Sequence, residues 1–195
     1  MAPIFISAER LSELKLLQRL KIALLGDSHM RRTYREWNTR SQQHLDVCYF
    51  GKGGIRSAQL QEFVDNMIAW GPHIVILQIG SNDLEVNKRQ SKEAYANPLF
   101  NIFQQLEHQG FVTFVVGLPV RYRFRNENFP ERVYIQRSRA VNNKLRRNLP
   151  GGRYIALPQE CYRRTAYYDG VHFHNRCYRD LGIVMRAKIE ELLNN

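Results

Sequence analysis

The sequence predicts an α/β fold: a five-stranded parallel sheet with helices on both faces. Three observations point to it. Short apolar runs alternate with amphipathic stretches along the chain, the pattern of repeated strand–helix units. Two of the runs, residues 73–79 (HIVILQI) and 111–116 (FVTFVV), are almost continuously apolar, as strands covered on both faces are. Small polar islands containing glycine follow the first three runs, and the carboxyl edge of such a sheet is where ligands bind.

Residues 8–20 read as an extra amphipathic helix, so residues 1–20 are expected to form an N-terminal extension to a domain of residues 21–195. The first strand is residues 21–25 (KIALL), closed by Gly26-Asp27-Ser28, a helix-start signal. Residues 45–50 (LDVCYF) form the second, ended by Gly51-Lys52-Gly53-Gly54. Leu60, Phe63, Val64 and Met67 recur at helical spacing within 57–70. The third strand, 73–79, precedes a helix over 99–108 that carries Ile102, Phe103 and Leu106. After the fourth strand, 111–116, a helix spans 131–149, a weaker fifth strand 154–157, and a last helix 176–193.

A chain of 195 residues supports one sizeable core. Its 44% hydrophobic and 24% charged residues exclude a disordered chain. No apolar stretch reaches the length of a membrane span. Residues 1–6 lack a basic segment leading into a signal-type apolar region, so the expectation is a cytoplasmic protein, or a domain of a longer chain. Cys48, Cys161 and Cys177 are odd in number and form no CxxC pair, which argues against a disulfide framework or a zinc ribbon. Cys48, in an apolar strand, reads as a small core residue. Neither a metal nor an organic cofactor is expected, although Cys177 lies close to His172 and His174.

Lysine and arginine outnumber aspartate and glutamate 29 to 18, a formal net charge of +11. Such a balance attracts polyanions, either nucleic acid or an anionic membrane surface. Arg121, Arg123 and Arg125 alternate with aromatic residues after the fourth strand, and Arg146 and Arg147 end a basic helix. These five are the candidates for polyanion binding, against the plainer reading of a solvated basic surface.

Four islands carry the chemistry. Ser28 follows a strand and opens a helix, so it is either an N-cap or a nucleophile whose own N–H faces the substrate oxygen. Gly53 or Gly54 can present an unobstructed backbone N–H, or merely turn the chain. Asn82, just beyond the third strand, can donate its amide to a developing oxyanion or hold a turn. Asp169 and His172, three residues apart across Gly170, can form a carboxylate–imidazole pair or an ordinary Asp-Gly turn. His29 and His174 compete as the base but lack an equally placed acid. Asp27 is expected to bond the backbone of its turn.

Taken together, the islands resemble the SGNH hydrolases, or GDSL-type esterases. The signature blocks match at Gly26-Asp27-Ser28, at Gly54 with its Gly-x-x-Ser-x-x-Leu continuation, at Gly80-Ser81-Asn82-Asp83 and at Asp169-Gly170-Val171-His172. His29-Met30 replaces the leucine common after the serine. The resemblance implies a flavodoxin-like three-layer α/β/α sandwich. It also implies a nucleophile at Ser28, oxyanion donors at Ser28, Gly54 and Asn82, and an acid–base pair at Asp169 and His172. A carboxylic ester is the implied substrate, and the short chain, with little room for a lid, favours modest acyl groups. More narrowly, Asp-Ser-His-Met-Arg-Arg and Leu-Gln-Ile-Gly-Ser-Asn-Asp-Leu are similar to esterase domains in first-open-reading-frame proteins of some non-LTR retrotransposons. That implies a place beside nucleic acid or membrane.

Two rivals to the serine esterase remain. One is a basic module binding RNA or anionic lipid, in which hydrolysis is secondary or lost. The other is an interaction protein that forms a homo-oligomer through residues 8–20.

Overall fold

The computed structural model describes residues 7–38, 44–86 and 90–194. The start of the expected extension, residues 1–6, lies outside that range. Five parallel strands form one sheet: β1 (Leu20–Gly26), β2 (Leu45–Gly51), β3 (Ile74–Gln78), β4 (Val112–Val116) and β5 (Tyr154–Ile155). Their order is β2-β1-β3-β4-β5. The chain therefore reverses its direction of travel across the sheet between β1 and β3, which opens a crevice at their carboxyl ends.

Strand periodicity divides the core into two layers. Ile22, Leu24, Ile76 and Phe114 point to one face, where they meet Met30 and Trp37 of α2 (Ser28–Asn38) and Tyr178, Leu181 and Met185 of α6 (Asn175–Asn194). Helix α1 (Ala8–Leu16) joins this layer through Leu14. Ala23, Leu25, Val75, Leu77 and Val115 point the other way. There they pack on Val64 and Met67 of α3 (Gln61–Trp70), Leu99 and Phe103 of α4 (Asn97–His108), and Tyr134 and Val141 of α5 (Glu131–Asn148). Each fully buried aliphatic side chain contributes about 1.5–3 kcal/mol by leaving water. The result is the three-layer α/β/α sandwich expected from the sequence.

The differences from the sequence reading have local causes. β5 stops at Ile155 rather than residue 157, just ahead of Pro158, which has no N–H for a ladder. The single helix expected over 57–70 is a short helical turn, Ser57–Gln59, followed by α3. Ser57 is held there by Asp83, which accepts from both its N–H (3.0 Å) and its Oγ (2.7 Å). Cys48 is not a core residue: it lies on the edge strand β2, all of whose residues are only half-buried. No helix among the described residues is long and apolar enough to cross a membrane.

Candidate active site

Ser28 lies at the first position of α2, immediately past the carboxyl end of β1. Its entry turn is crowded. A Cβ on Gly26 would come within 2.0 Å of the Gln78 carbonyl oxygen, so only glycine lets β1 and β3 end this close together. Asp27 closes the turn: its Oδ1 accepts from the His29 N–H at 3.0 Å. Its Oδ2 accepts from Ser81 Oγ at 2.6 Å and, at 3.4 Å, from Asn82 Nδ2. Asp27 is thus a brace between the first and third islands as well as a turn-former. Burial raises its pKa, while the Ser81 and His29 hydrogen bonds work in the opposite direction.

The last island folds back onto Ser28. Asp169 Oδ1 accepts from the N–H groups of Val171 (2.9 Å) and His172 (2.6 Å), while Oδ2 lies 2.7 Å from His172 Nδ1. Gly170 takes the left-handed φ of +78° that this tight return needs. Its carbonyl accepts from the N–H groups of Tyr122 (2.7 Å) and Arg123 (3.1 Å), pinning the turn to the loop after β4. His172 Nε2 lies 3.1 Å from Ser28 Oγ. An ionised carboxylate can only accept, so Nδ1 carries the imidazole proton and Nε2 faces the serine hydroxyl as an acceptor. Burial opposes the Asp169 charge, but the three hydrogen bonds from His172 and Val171 outweigh it and hold the carboxyl down at about 2.

Asn82 is fixed from both ends. Its Nδ2 donates to the Ile55 carbonyl at 2.8 Å, and its Oδ1 accepts from Arg121 Nη2 at 3.2 Å. Arginine only donates, so the orientation of the amide is decided: oxygen to Arg121, nitrogen toward Ile55 and Asp27. Ser28, Gly53, Gly54, Asn82 and His172 line one cavity of about 720 Å³. A Cβ on Gly53 would lie 3.6 Å from Ser28 Cβ, whereas Gly54 is covered by Arg125, whose Nη2 donates to its carbonyl at 3.4 Å. Gly53 therefore borders the serine directly, while Gly54 shares the cavity with it.

The competing histidines separate. His29 is buried among Phe173, Tyr178 and His172, and its Nδ1 lies 3.2 Å from the Tyr178 hydroxyl. Burial holds it well below the usual imidazole range, so it is neutral. His174 is exposed and lines a different groove, with Glu160 and Cys177.

The five basic candidates do not form one surface. Arg121 is buried and paired with Glu85, so it is an internal brace rather than a solvent-facing cation. Arg123 and Arg125 are exposed at the mouth of the Ser28 cavity. Arg146 and Arg147 lie near the C-terminal end of α5, Arg146 over Tyr154 at the opposite edge of the sheet. Sequence reasoning missed Glu85, and it missed Arg31, Arg32 and Lys52, which also line the cavity. A signal for two of these was present: Arg31 and Arg32 stand three and four residues after Ser28 on α2, the spacing of one helix face.

Neither a family model nor a curated protein sequence matches the chain. Solved structures do. A carbohydrate acetylesterase from Sinorhizobium meliloti superposes with a TM-score of 0.67 at 14% identity, covering 89% of this chain and all of that one (100%). An acetyl xylan esterase gives 0.65 at 16%, covering 87% and 100%. A GDSL-like lipase from Bacteroides thetaiotaomicron gives 0.59 at 14%, covering 98% of each. At these identities the likeness is one of fold, and the fold is that of the SGNH hydrolases.

Proposed function

We propose that this chain is a serine esterase acting on carboxylic esters. The observation that carries the reading is the unbroken line from Ser28 Oγ to His172 Nε2 (3.1 Å) and from His172 Nδ1 to Asp169 Oδ2 (2.7 Å). Ser28 Oγ attacks the acyl carbon as its proton passes to Nε2, and Asp169 stabilises the imidazolium. The N–H groups of Ser28 and of Gly53 or Gly54, with the Asn82 amide, receive the oxyanion. For Asn82 this uses the N–H now directed at Asp27 across 3.4 Å, the weaker of its two bonds. Collapse expels the alcohol with the imidazolium proton. A water activated by His172 then frees the acid. The chemistry needs no metal or organic cofactor. The acetylesterase names of two structural relatives favour short acyl groups. Residues 21–195 would form the hydrolase domain and residues 1–20 an extension.

The direct test is hydrolysis of p-nitrophenyl acetate by wild type and by Ser28→Ala, with folding checked by circular dichroism. Loss of kcat by a factor on the order of 10⁴ or more in a folded variant is expected. Wild-type rates in that variant would refute the mechanism.

A second reading, compatible with the first, is a domain working beside nucleic acid or an anionic membrane, as in the retroelement proteins it resembles. Exposed Arg146 and Arg147, which do not line the cavity, favour it. It requires RNA or vesicle binding that falls steeply with salt and persists in Ser28→Ala. Self-association through α1 would use Leu16 and Leu17, 84% and 39% exposed, and would be lost when residues 8–20 are deleted.

A further inference from the structure

The cavity wall is far more cationic than ester hydrolysis requires. Apart from the internally paired Arg121, five basic side chains line it: Arg31, Arg32, Lys52, Arg123 and Arg125. One carboxylate, Glu127, faces them. None of the five has an ion-pair partner among the described residues. Other arginines in the chain do: Arg19 with Asp46, Arg121 with Glu85, Arg153 with Glu107 and Arg179 with Glu36.

The five stand on both sides of the serine–histidine pair. On one side a Cβ on Gly53 would meet Arg31 Nη2 at 3.8 Å as well as Ser28 Cβ at 3.6 Å, so Arg31 and Ser28 flank the same glycine. Arg125 Nη2 would meet a Cβ on Gly54 at 2.8 Å, and Lys52 precedes both glycines. On the other side, Arg123 Cβ lies 2.9 Å from where a Cβ on Gly170 would be, against the turn that carries Asp169 and His172. Arg32 lies over the Tyr168 ring (5.5 Å), and that ring stacks with His172 (6.1 Å between centroids). Like charges gathered around one cavity repel one another. Opposite charge on the ligand relieves that repulsion, and a one-signed cleft concentrates such ligands.

We propose that the ester hydrolysed here bears a phosphate group, seated among Arg31, Arg32, Lys52, Arg123 and Arg125 while its acyl carbon meets Ser28. Guanidinium forks match phosphate geometry, and a multiply charged anion fits a wall of five cations better than a lone carboxylate does. The inference rests on the esterase reading and names its substrate class. Ser28 Oγ forms the new C–O bond, the acyl C–O bond to the phosphate-bearing alcohol breaks, and that alcohol leaves with the proton from His172. Water then cleaves the acyl-serine, and the phosphate itself is untouched.

The test compares two acetates with nearly equal leaving groups, 3-acetoxybenzyl phosphate and 3-acetoxybenzyl alcohol. The expected ratio of kcat/KM is about tenfold or more in favour of the phosphate at low salt. It should collapse toward unity near 1 M salt, where the screening length is about 3 Å. Arg123→Gln and Lys52→Gln should each lower the ratio, and Arg123→Lys should restore part of it. Competitive inhibition by inorganic phosphate is expected as well. A short-chain acyl glycerol phosphate in solution and its long-chain counterpart in vesicles distinguish a soluble metabolite from a lipid headgroup, and turnover of either supports the proposal. A ratio near one, with the neutral ester turned over normally, overturns the proposal and leaves the esterase intact. Turnover of neither acetate, with Ser28 inert to a fluorophosphonate, overturns the esterase reading and the proposal together.

Discussion

Arg121 Nη2 donates to Asn82 Oδ1 at 3.2 Å, and together with the bond from Asn82 Nδ2 to the Ile55 carbonyl at 2.8 Å it fixes the orientation of the Asn82 amide. Arg121 is itself held by Glu85, whose other carboxylate oxygen accepts from the Arg125 N–H at 3.3 Å. The orientation of a proposed oxyanion donor thus depends on an ion pair between its own loop after β3, which carries Glu85, and the loop after β4, which carries Arg121. Arg121→Met strands Glu85 in a nearly buried position and should lower stability by about 3–5 kcal/mol. In variant that remains folded at low temperature, kcat should fall more than KM changes, because only transition-state binding loses its donor. Urea unfolding and steady-state kinetics on one preparation check both.

The Asp169 carboxyl provides a pH prediction. Its folded value, about 2, lies below the ~3.9 of an unfolded chain. Its stabilising contribution is therefore complete above the unfolded value and is lost as pH falls through the folded one. The carboxyl should stay ionised across the working range, so protonation of Asp169 should not limit kcat/KM there. A carboxyl NMR titration with a midpoint near 2 agrees. A midpoint above the unfolded value would contradict the pairing with His172.

Ser57 ties the second island to the third through Asp83. Removing its hydroxyl in Ser57→Ala keeps the backbone bond and costs about 0.5–1.5 kcal/mol. The looser Gly53–Gly54 loop should also reduce kcat. Chemical denaturation and p-nitrophenyl acetate kinetics measure the two effects; unchanged kcat would mean that the loop is positioned without Asp83.

His29 offers a control on the identity of the base. His29→Phe keeps the aromatic packing against Phe173 and Tyr178 and gives up one hydrogen bond to Tyr178. Activity should survive in this variant and vanish in His172→Ala. The reverse result would reassign the base.

Much of this arrangement was legible in the chain. Continuous apolar runs at 73–79 and 111–116 became fully buried β3 and β4, because strand burial on both faces leaves a direct mark on composition. Ser28, Asp169 and His172 could be singled out because each sits in a short island with a local turn signal. The braces could not. Glu85 and Arg121 are 36 residues apart, Ser57 and Asp83 are 26 apart, and each is an ordinary polar residue until the sheet edge brings them together. Cys48 misled because apolar neighbours mark a strand without revealing that it lies at the edge of the sheet. The basic cluster misled similarly: charge counts cannot distinguish Arg121, turned inward to Glu85, from Arg123 and Arg125 at the cavity mouth.

The central claim is that Ser28 is a nucleophile activated by His172. It is tested most directly by incubating the folded protein with a fluorophosphonate and mapping the adduct by mass spectrometry. The account predicts stoichiometric labelling at Ser28 that is lost in His172→Ala. Absence of labelling in the folded wild-type protein, or labelling at Ser28 undiminished in His172→Ala, would contradict it.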